Sequence, residues 1–431
     1  MFENFKKVYF LLTLDLKNKI KLIFILLLFS MLLEALSIGM IVPVLSYFFF
    51  SNDKNTIFDT FISKLVSLSS LDTLTILLIM IFLIFTLKNF FLILNQYINS
   101  KFLENLRYQI ALKRFQRYLQ NDYKFFLNNN TSILLRNITT EIGSLVEFTS
   151  NTLILFAEFS VFIAITTLLL VIDFKSTLIV ALTASTFGFL IIYLTKQKLL
   201  NIGKNRVHVE GEINKYFLQG LSAVKDVKLL KVEDTLISSA KIFLKKSFNI
   251  NLFFRFLNGI IKYLFEILIV TLFISLIVLL NKLDVDYNSI LKTCALFAVA
   301  SFRILPSVSR ISTSIQQIRF REKTIRDLYN EFYYQNYSFK NNLKIKNEKK
   351  ILSSDRLAFK DRISVKNLSF NYNEKSKAIL KNISFEIKKG EFLGIYGESG
   401  SGKTTLVNLM IGLLESEKIF CDNKSIFHNL D

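Results

Sequence analysis

Proline is nearly missing from this sequence, at 2 residues in 431, and tryptophan is missing altogether. Glycine is modest at 13 and cysteine stands at 2. A collagen needs glycine at every third position, a disulfide scaffold needs many cysteines, and a disordered tail needs few bulky apolar residues, so all three are excluded. Cys294 and Cys421 cannot build a disulfide framework between them and fit a reducing, cytosolic side. Acidic residues are also scarce, 34 against 54 basic, which leaves a formal net charge of +20. That balance suits either nucleic acid or an anionic membrane surface, and the placement of the charges decides between them. What the chain has in quantity is apolar side chains, 52% of all residues with a mean hydropathy of +0.40. They come in long runs, and the length fits two or more domains rather than one ordinary soluble domain.

Six apolar stretches precede residue 320: Leu22–Leu45, Leu74–Leu94, Thr152–Ile172, Thr177–Leu194, Ile260–Leu280 and Ile290–Ile311. Each has about 20 residues, enough for a helix to cross the hydrocarbon core of a bilayer. Buried helices of a soluble protein are the competing reading, and six such runs in one chain weigh against it. Basic residues sort by connection. The N-terminal segment carries Lys6, Lys7, Lys17, Lys19 and Lys21, the second connection runs from Lys101 to Arg136, and the fourth is basic from Lys196 to Arg255. The other connections hold Asp53, Asp59, Asp72, Asp173, Asp284 and Asp286 instead. This alternation predicts a multi-pass protein of the inner or cell membrane with both termini in the cytosol. It also accounts for the net charge without nucleic acid. The early apolar run Val8–Leu14 is short and lacks a small-residue cleavage site, so no cleavable signal peptide is expected.

The two long basic connections contain helical repeats such as Phe102, Leu106, Ile110, Phe115 and Leu119. They predict helices that continue the spans into the cytosol, turning at Asn121–Thr131 and at about Phe217–Val224. After the first span, Ile57/Phe58, Phe61/Ile62 and Leu65/Val66 form an i, i+3, i+4 stripe. It reads either as an amphipathic helix on the outer leaflet or as a loop packed on the spans. Lys88, Lys262, Arg303, Glu34, Glu158 and Glu266 fall inside the apolar stretches. Charges at that depth face a cavity or a partner. Lys88, Lys262 and Arg303 are the candidate lining of a cavity for an anionic group. Snorkelling is the alternative for the two lysines, and Lys262 is also four residues from Glu266, a pairing distance on one helix.

Composition changes near residue 320. The expected division is a membrane domain over 1–330, a charged and Asn-rich linker over 331–360 with a basic cluster at Lys344–Lys350, and a nucleotide domain over 361–431. Ile363 and Val365 alternate, then Leu368, Phe370 and Tyr372, with a phase slip between the two sets, and Ile379–Ile387 alternates again. After the turn Lys389-Gly390-Glu391, Phe392–Tyr396 reads as a short apolar strand. It runs into Gly397-Glu-Ser-Gly-Ser-Gly-Lys403-Thr404-Thr405 and an apolar helix with Leu406, Leu409, Met410 and Leu413. Strand, glycine loop and helix in that order are the context of a P-loop. Glycines let consecutive backbone N–H groups turn toward phosphate oxygens and the helix N-terminus adds its dipole. Lys403 is placed to reach the β- and γ-phosphates, and the Thr404 hydroxyl to ligate Mg²⁺.

Six spans, two long cytosolic connections and a fused P-loop resemble an ABC exporter half-transporter: a six-helix membrane domain with long cytosolic extensions, followed by an α/β P-loop NTPase domain. The run Ser369-Phe-Asn-Tyr372, then Leu380 to Glu391, then the loop to Thr405, is similar to the opening of an ABC nucleotide-binding domain. The resemblance assigns Tyr372 to stacking on adenine and Gly397, Gly400, Ser401, Gly402, Lys403, Thr404 and Thr405 to the phosphates of ATP with Mg²⁺. Val224 to Glu233 resembles the segment after the second intracellular coupling helix. Ser301 to Ile311, with Arg303 and Pro306, resembles the subgroup that flips lipid-linked oligosaccharides, which implies an amphipathic, pyrophosphate-linked lipid substrate in the membrane. A homodimer or a second ABC half-subunit is the implied partner. The family's Gln loop, Leu-Ser-Gly-Gly signature, Walker B Asp with catalytic Glu, and switch His have no counterpart in these residues. His208 and His428 read as solvated or structural. The segment from Asp361 is short against the roughly 100–200 residues of a full domain. The chain is therefore expected to be a fragment, a truncated product or one part of a split subunit. No catalytic residue is assigned, and ATP turnover stays open between a transporter completed by its missing half and a remnant that only binds nucleotide or a partner.

Overall fold

The computed structural model describes residues 2–40, 72–172, 174–282, 287–332, 359–372, 378–422 and 424–425. The stripe over 57–66, the linker over 333–358 with Lys344–Lys350, the side chain of Cys294, and His428 lie outside the described residues. The chain divides into two compact units, 1–113 with 135–329, and 114–134 with 330–431.

The first unit is helical: α1 (Phe2–Leu11), α2 (Leu14–Gly39), most of α3 (Thr73–Leu119), the end of α5 (Thr131–Ile138), α6 (Thr140–Ile172), α7 (Phe174–Ser222), α8 (Val224–Leu230), α9 (Glu233–Lys282) and α10 (Tyr287–Phe320). A further helix, α11, covers 322–332 and crosses the unit boundary. Five helical segments among the described residues are long and apolar enough to cross a membrane: Leu14–Ser37, Leu74–Leu119, Thr131–Val171, Val180–Ser222 and Glu233–Ser275. The sixth expected stretch, Ile290–Ile311, lies in α10, which is not among the five.

Helix α2 explains its own orientation. Leu16, Ile20, Ile23, Leu27, Ser30, Glu34 and Ser37 recur at three- and four-residue steps and are all buried. Leu22, Ile25, Phe29, Leu32 and Leu36 follow the same spacing on the opposite face and are all exposed. In water such a face would be penalised at about 25 cal/mol per Å² of apolar surface, whereas in hydrocarbon it carries no penalty. The buried seam changes from apolar to polar at Ser30, and that change places Glu34 inside the helix bundle rather than in lipid. Helix α2 packs on α6, α6 on α10, and α10 on α9 and α7. Val161, Ile165, Leu169 and Phe297 form one core, and Ile191, Ile261 and Phe265 another.

The expected helical continuations and their turns are visible in the helix ends. Helix α7 stops at Ser222, α8 follows, and Lys231 closes it in the left-handed conformation at φ 52° with its N–H on Val227 O before α9 begins. The turn therefore spans 223–232, slightly later than the expected Phe217–Val224. In the first connection, residues 120–122 separate α3 from α4 (Tyr123–Asn128), and Asn130 Oδ1 accepts from the Ser132 N–H and hydroxyl at the start of α5.

The second unit holds a four-stranded antiparallel sheet in the order β2-β1-β3-β4, from β1 (Arg362–Phe370), β2 (Leu380–Lys388), β3 (Ile419–Cys421) and β4 (Lys424–Ser425), with α12 (Lys403–Met410). The phase slip in β1 is a β-bulge. Register shifts between Val365 and Leu368, Asn367 takes φ 49°, and both flanking apolar side chains reach the same core. That core joins Val365, Leu368, Leu380, Leu406, Leu409, Leu414 and Ile419, with Tyr123 of α4 packed against it. Asp422 accepts from the N–H groups of Lys360, Asp361 and Arg362 at 2.6, 2.9 and 2.8 Å, which ties the end of β3 to the start of β1. Those bonds hold its carboxyl below the usual range. The expected strand Phe392–Tyr396 is not formed. Residues 391–398 are irregular, no described strand pairs with them, and Phe392 and Tyr396 are fully exposed at 101% and 102%. A short apolar run becomes a strand only when a neighbour supplies the hydrogen-bond ladder.

Candidate functional site

The glycine loop leaves β2 through residues 389–398 and closes on the first turn of α12. Gly400 and Gly402 sit at φ 84° and 92°, a region that L side chains rarely occupy. A Cβ on Gly402 would also stand 2.9 Å from Leu380 Cδ2, and one on Gly397 2.9 Å from Ser401 Oγ, so a larger residue at either position would require those side chains to move. The Ser401 N–H donates to Glu398 O at 3.2 Å and turns the loop back on itself. Lys403 opens the helix, and its ammonium curls inward to donate to Gly397 O at 2.8 Å and Glu398 O at 2.7 Å. The lysine charge is thereby held at the mouth of a ring of backbone groups, at the positive end of a helix dipole. Thr404 is exposed and its hydroxyl is accessible, while Thr405 is buried. The Tyr372 hydroxyl lies 3.2 Å from Thr405 Oγ1, and its ring meets Phe370 edge-on at 5.2 Å and packs on the sheet core. Lys403 thus contacts Gly397 directly, and Tyr372 contacts Thr405. The donor set, with inward-turning backbone, one ammonium and one free hydroxyl, fits a nucleotide triphosphate with its cation.

A second polar assembly lies within the helical unit. Arg303 of α10 donates to Glu34 of α2 through Nε at 2.5 Å and Nη2 at 2.8 Å. Its Nη1 is 3.7 Å from Glu158 of α6, which also receives Arg310 at 3.1 Å and the Ser307 hydroxyl at 2.8 Å. Beside them is a cavity of about 370 Å³ lined by these four charged residues and by Asn95, Gln96 and Asn99 of α3, among others. Lys88 points to Ser37 Oγ at 3.5 Å and lies over the Phe85 ring. Neither Lys88 nor Lys262 lines this cavity; Lys262 is exposed and 3.8 Å from Glu266 on its own helix.

A third cluster joins the helix continuations beyond the apolar stretches. Glu141 of α6 accepts from Thr324 of α11 at 2.6 Å, and Arg206 of α7 donates to Thr324 at 3.1 Å and to Ser144 at 3.2 Å. Arg206 also lies 3.7 Å from Glu210, and Arg136 stands 3.5 Å from Glu141. Burial pushes the Glu210 carboxyl up, against the pull of Arg206. The sequence contains no local signal for this node, because its members come from four helices.

Residues 380–430 match the family model of the ABC transporter. The chain is 44% identical over 70 residues to the ergothioneine transport ATP-binding protein EgtV of Helicobacter pylori (strain G27), covering 15% of this chain and 31% of that one. It is 45% identical over 65 residues to the multidrug resistance-like ATP-binding protein MdlB of Buchnera aphidicola subsp. Schizaphis graminum, 15% of this chain and 11% of the relative. It is 54% identical over 54 residues to the energy-coupling factor transporter ATP-binding protein EcfA1 of Streptococcus mutans, 12% and 19% of the respective lengths. The chain thus spans less than a third of each of these relatives. What they share is a segment of an ABC transporter ATP-binding domain, joined here to an N-terminal region of apolar helices.

Proposed function

We propose that this chain is the ATP-binding and permease subunit of an ABC exporter, which uses ATP to move or flip an amphipathic, lipid-linked substrate. The observation that carries the proposal is the geometry at Lys403. Its ammonium is folded onto the carbonyls of Gly397 and Glu398 at the N-terminus of α12, in the same chain as five helices long and apolar enough to span a membrane. The backbone N–H groups of the loop bind phosphate oxygens, the Lys403 ammonium swings from its own carbonyls to the terminal phosphates, and the exposed Thr404 hydroxyl holds Mg²⁺. Tyr372 sets the edge of the site through Thr405. Bound ATP supplies the free energy of phosphoryl transfer. The six-span arrangement, the 1–330, 331–360 and 361–431 division, and a homodimer or second half-subunit as partner belong to the same proposal.

On the membrane side, Arg303 with Lys88 selects an anionic head, such as a pyrophosphate, on a hydrophobic tail. Lys262 serves through its pairing with Glu266 instead. Nucleotide binding by the purified chain in lipid tests the proposal. Lys403→Ala is expected to weaken ATP binding at least about tenfold, the loss that follows from removing a charge-assisted bond. Equal binding by the variant would overturn the assignment of the loop.

A further inference from the structure

The charged lining of the polar cavity in the helical unit is electrically balanced. Glu34 and Glu158 face Arg303 and Arg310, so the formal charges of these four lining residues cancel, and Lys88 beside Ser37 adds a positive charge close by. The two signs are not equally reachable, however. The side chains of Arg303 and Arg310 are 22% and 51% exposed, against 8% and 10% for Glu34 and Glu158. All four line the cavity, and the arginines keep more of their side-chain surface accessible than the carboxylates do. Glu34 engages Arg303 in the two-pronged manner, Nε and Nη2 each on one carboxylate oxygen, that a guanidinium also offers to phosphate.

From this arrangement we infer that Glu34 is the resident counter-ion of Arg303, displaced by the anionic head of the substrate, and so sets which anions are accepted. The inference rests on the proposed anionic lipid substrate and names the residue that discriminates among such lipids. A ligand must exceed a carboxylate in charge or hydrogen-bonding capacity to take the guanidinium from Glu34. Phosphate and pyrophosphate heads do so; a fatty-acid carboxylate only equals the resident group. The same exchange breaks the ion pair that links Glu34 of α2 to Arg303 of α10.

The test uses the full chain in lipid nanodiscs with three amphiphiles of matched tail length: an isoprenyl pyrophosphate, a fatty acid and an uncharged isoprenol. Wild type is expected to bind the pyrophosphate and to ignore the other two. Glu34→Gln keeps the shape and removes the charge. It should raise affinity for both anions by about tenfold, the worth of one charged hydrogen bond, and leave isoprenol unmoved. Glu34→Asp retains the charge on a shorter arm and leaves no arginine unpaired. It should give a gain of a few fold for the pyrophosphate, which keeps the test available where the Gln variant does not reconstitute. If wild type binds the pyrophosphate and both variants bind it equally or more weakly, the counter-ion role is wrong and the anionic substrate stands. If wild type does not prefer the pyrophosphate over isoprenol, the anionic substrate and the counter-ion role fall together. A gain for isoprenol equal to that for the anions would assign the effect to cavity shape and also overturn the role.

Discussion

At the scale of single residues, charge inside this protein is managed by pairing. Arg206 serves Glu141, Glu210, Ser144 and Thr324 in one buried node. Glu210 is the member whose ionisation is disfavoured, since burial outweighs the attraction of Arg206, with Glu141 opposing and Arg136 assisting ionisation. A carboxyl whose pKa is higher folded than unfolded contributes stability below its ordinary value of 4.5, and that contribution is lost as pH rises through the folded value. Replacing Glu210 by Gln, which is permanently neutral, should therefore raise the melting temperature of the helical unit above the folded pKa and leave it nearly unchanged in acid. Thermal unfolding at pH 4 and pH 8 measures this; an equal shift at both would remove the titration as the cause. The Glu34–Arg303 pair, 269 positions apart, was beyond sequence reading for a simple reason. Both residues stand out as charges in apolar runs, but which charges meet depends on how each helix is rotated about its axis. By contrast, Lys262 and Glu266 lie one turn apart, and their pairing was readable from spacing alone.

At the scale of elements, the helices and strands were legible where a period could be counted. The slip between Val365 and Leu368 in the alternation marked the bulge at Asn367, because only an extra residue keeps both apolar sets on one face. The breaks in the basic connections marked the turn at 120–122 and, a few residues early, the one at 223–232. The short apolar run Phe392–Tyr396 misled, because apolar composition records a preference for a buried sheet and not the presence of a partner strand. Gly203 carries another message hidden in sequence. Inside α7 it reads as a helix-weakening residue, yet a Cβ there would overlap the Phe320 carbonyl at the end of α10. It lies where Leu199, Phe254 and Phe320 form a core in which the Phe254 and Phe320 rings stack at 4.0 Å. Gly203→Ala gains about 1 kcal/mol of helix propensity but forces two backbones apart, an overpacking cost of about 1–3 kcal/mol. The net expectation is destabilisation, read as a lower melting temperature; an increase would show that α7 and α10 can separate freely.

At the scale of the whole molecule, the charge alternation predicts a side of the membrane for every connection. Lys225, exposed on α8, is then expected on the cytosolic side. A Lys225→Cys variant should react with a membrane-impermeant maleimide only in inverted vesicles, with the parent chain as control. Reaction in intact cells would reverse the orientation. The P-loop was the most legible part of the candidate site, since Gly400, Gly402 and Lys403 are consecutive in chain and function. The membrane cavity was the least, since its lining is gathered from four helices.

Helix α9 runs unbroken for 50 residues. At 1.5 Å per residue that is about 75 Å, against roughly 30 Å of hydrocarbon, so about 45 Å of rod stands outside the bilayer. Such a rod is a lever with its fulcrum at the membrane surface. A tilt of about 5° within the lipid, well inside the range helices adopt, sweeps the far tip through roughly 4 Å. Packed side chains are fitted at ångström precision, so a tilt barely noticeable within the lipid exceeds that fit at the far end of the rod.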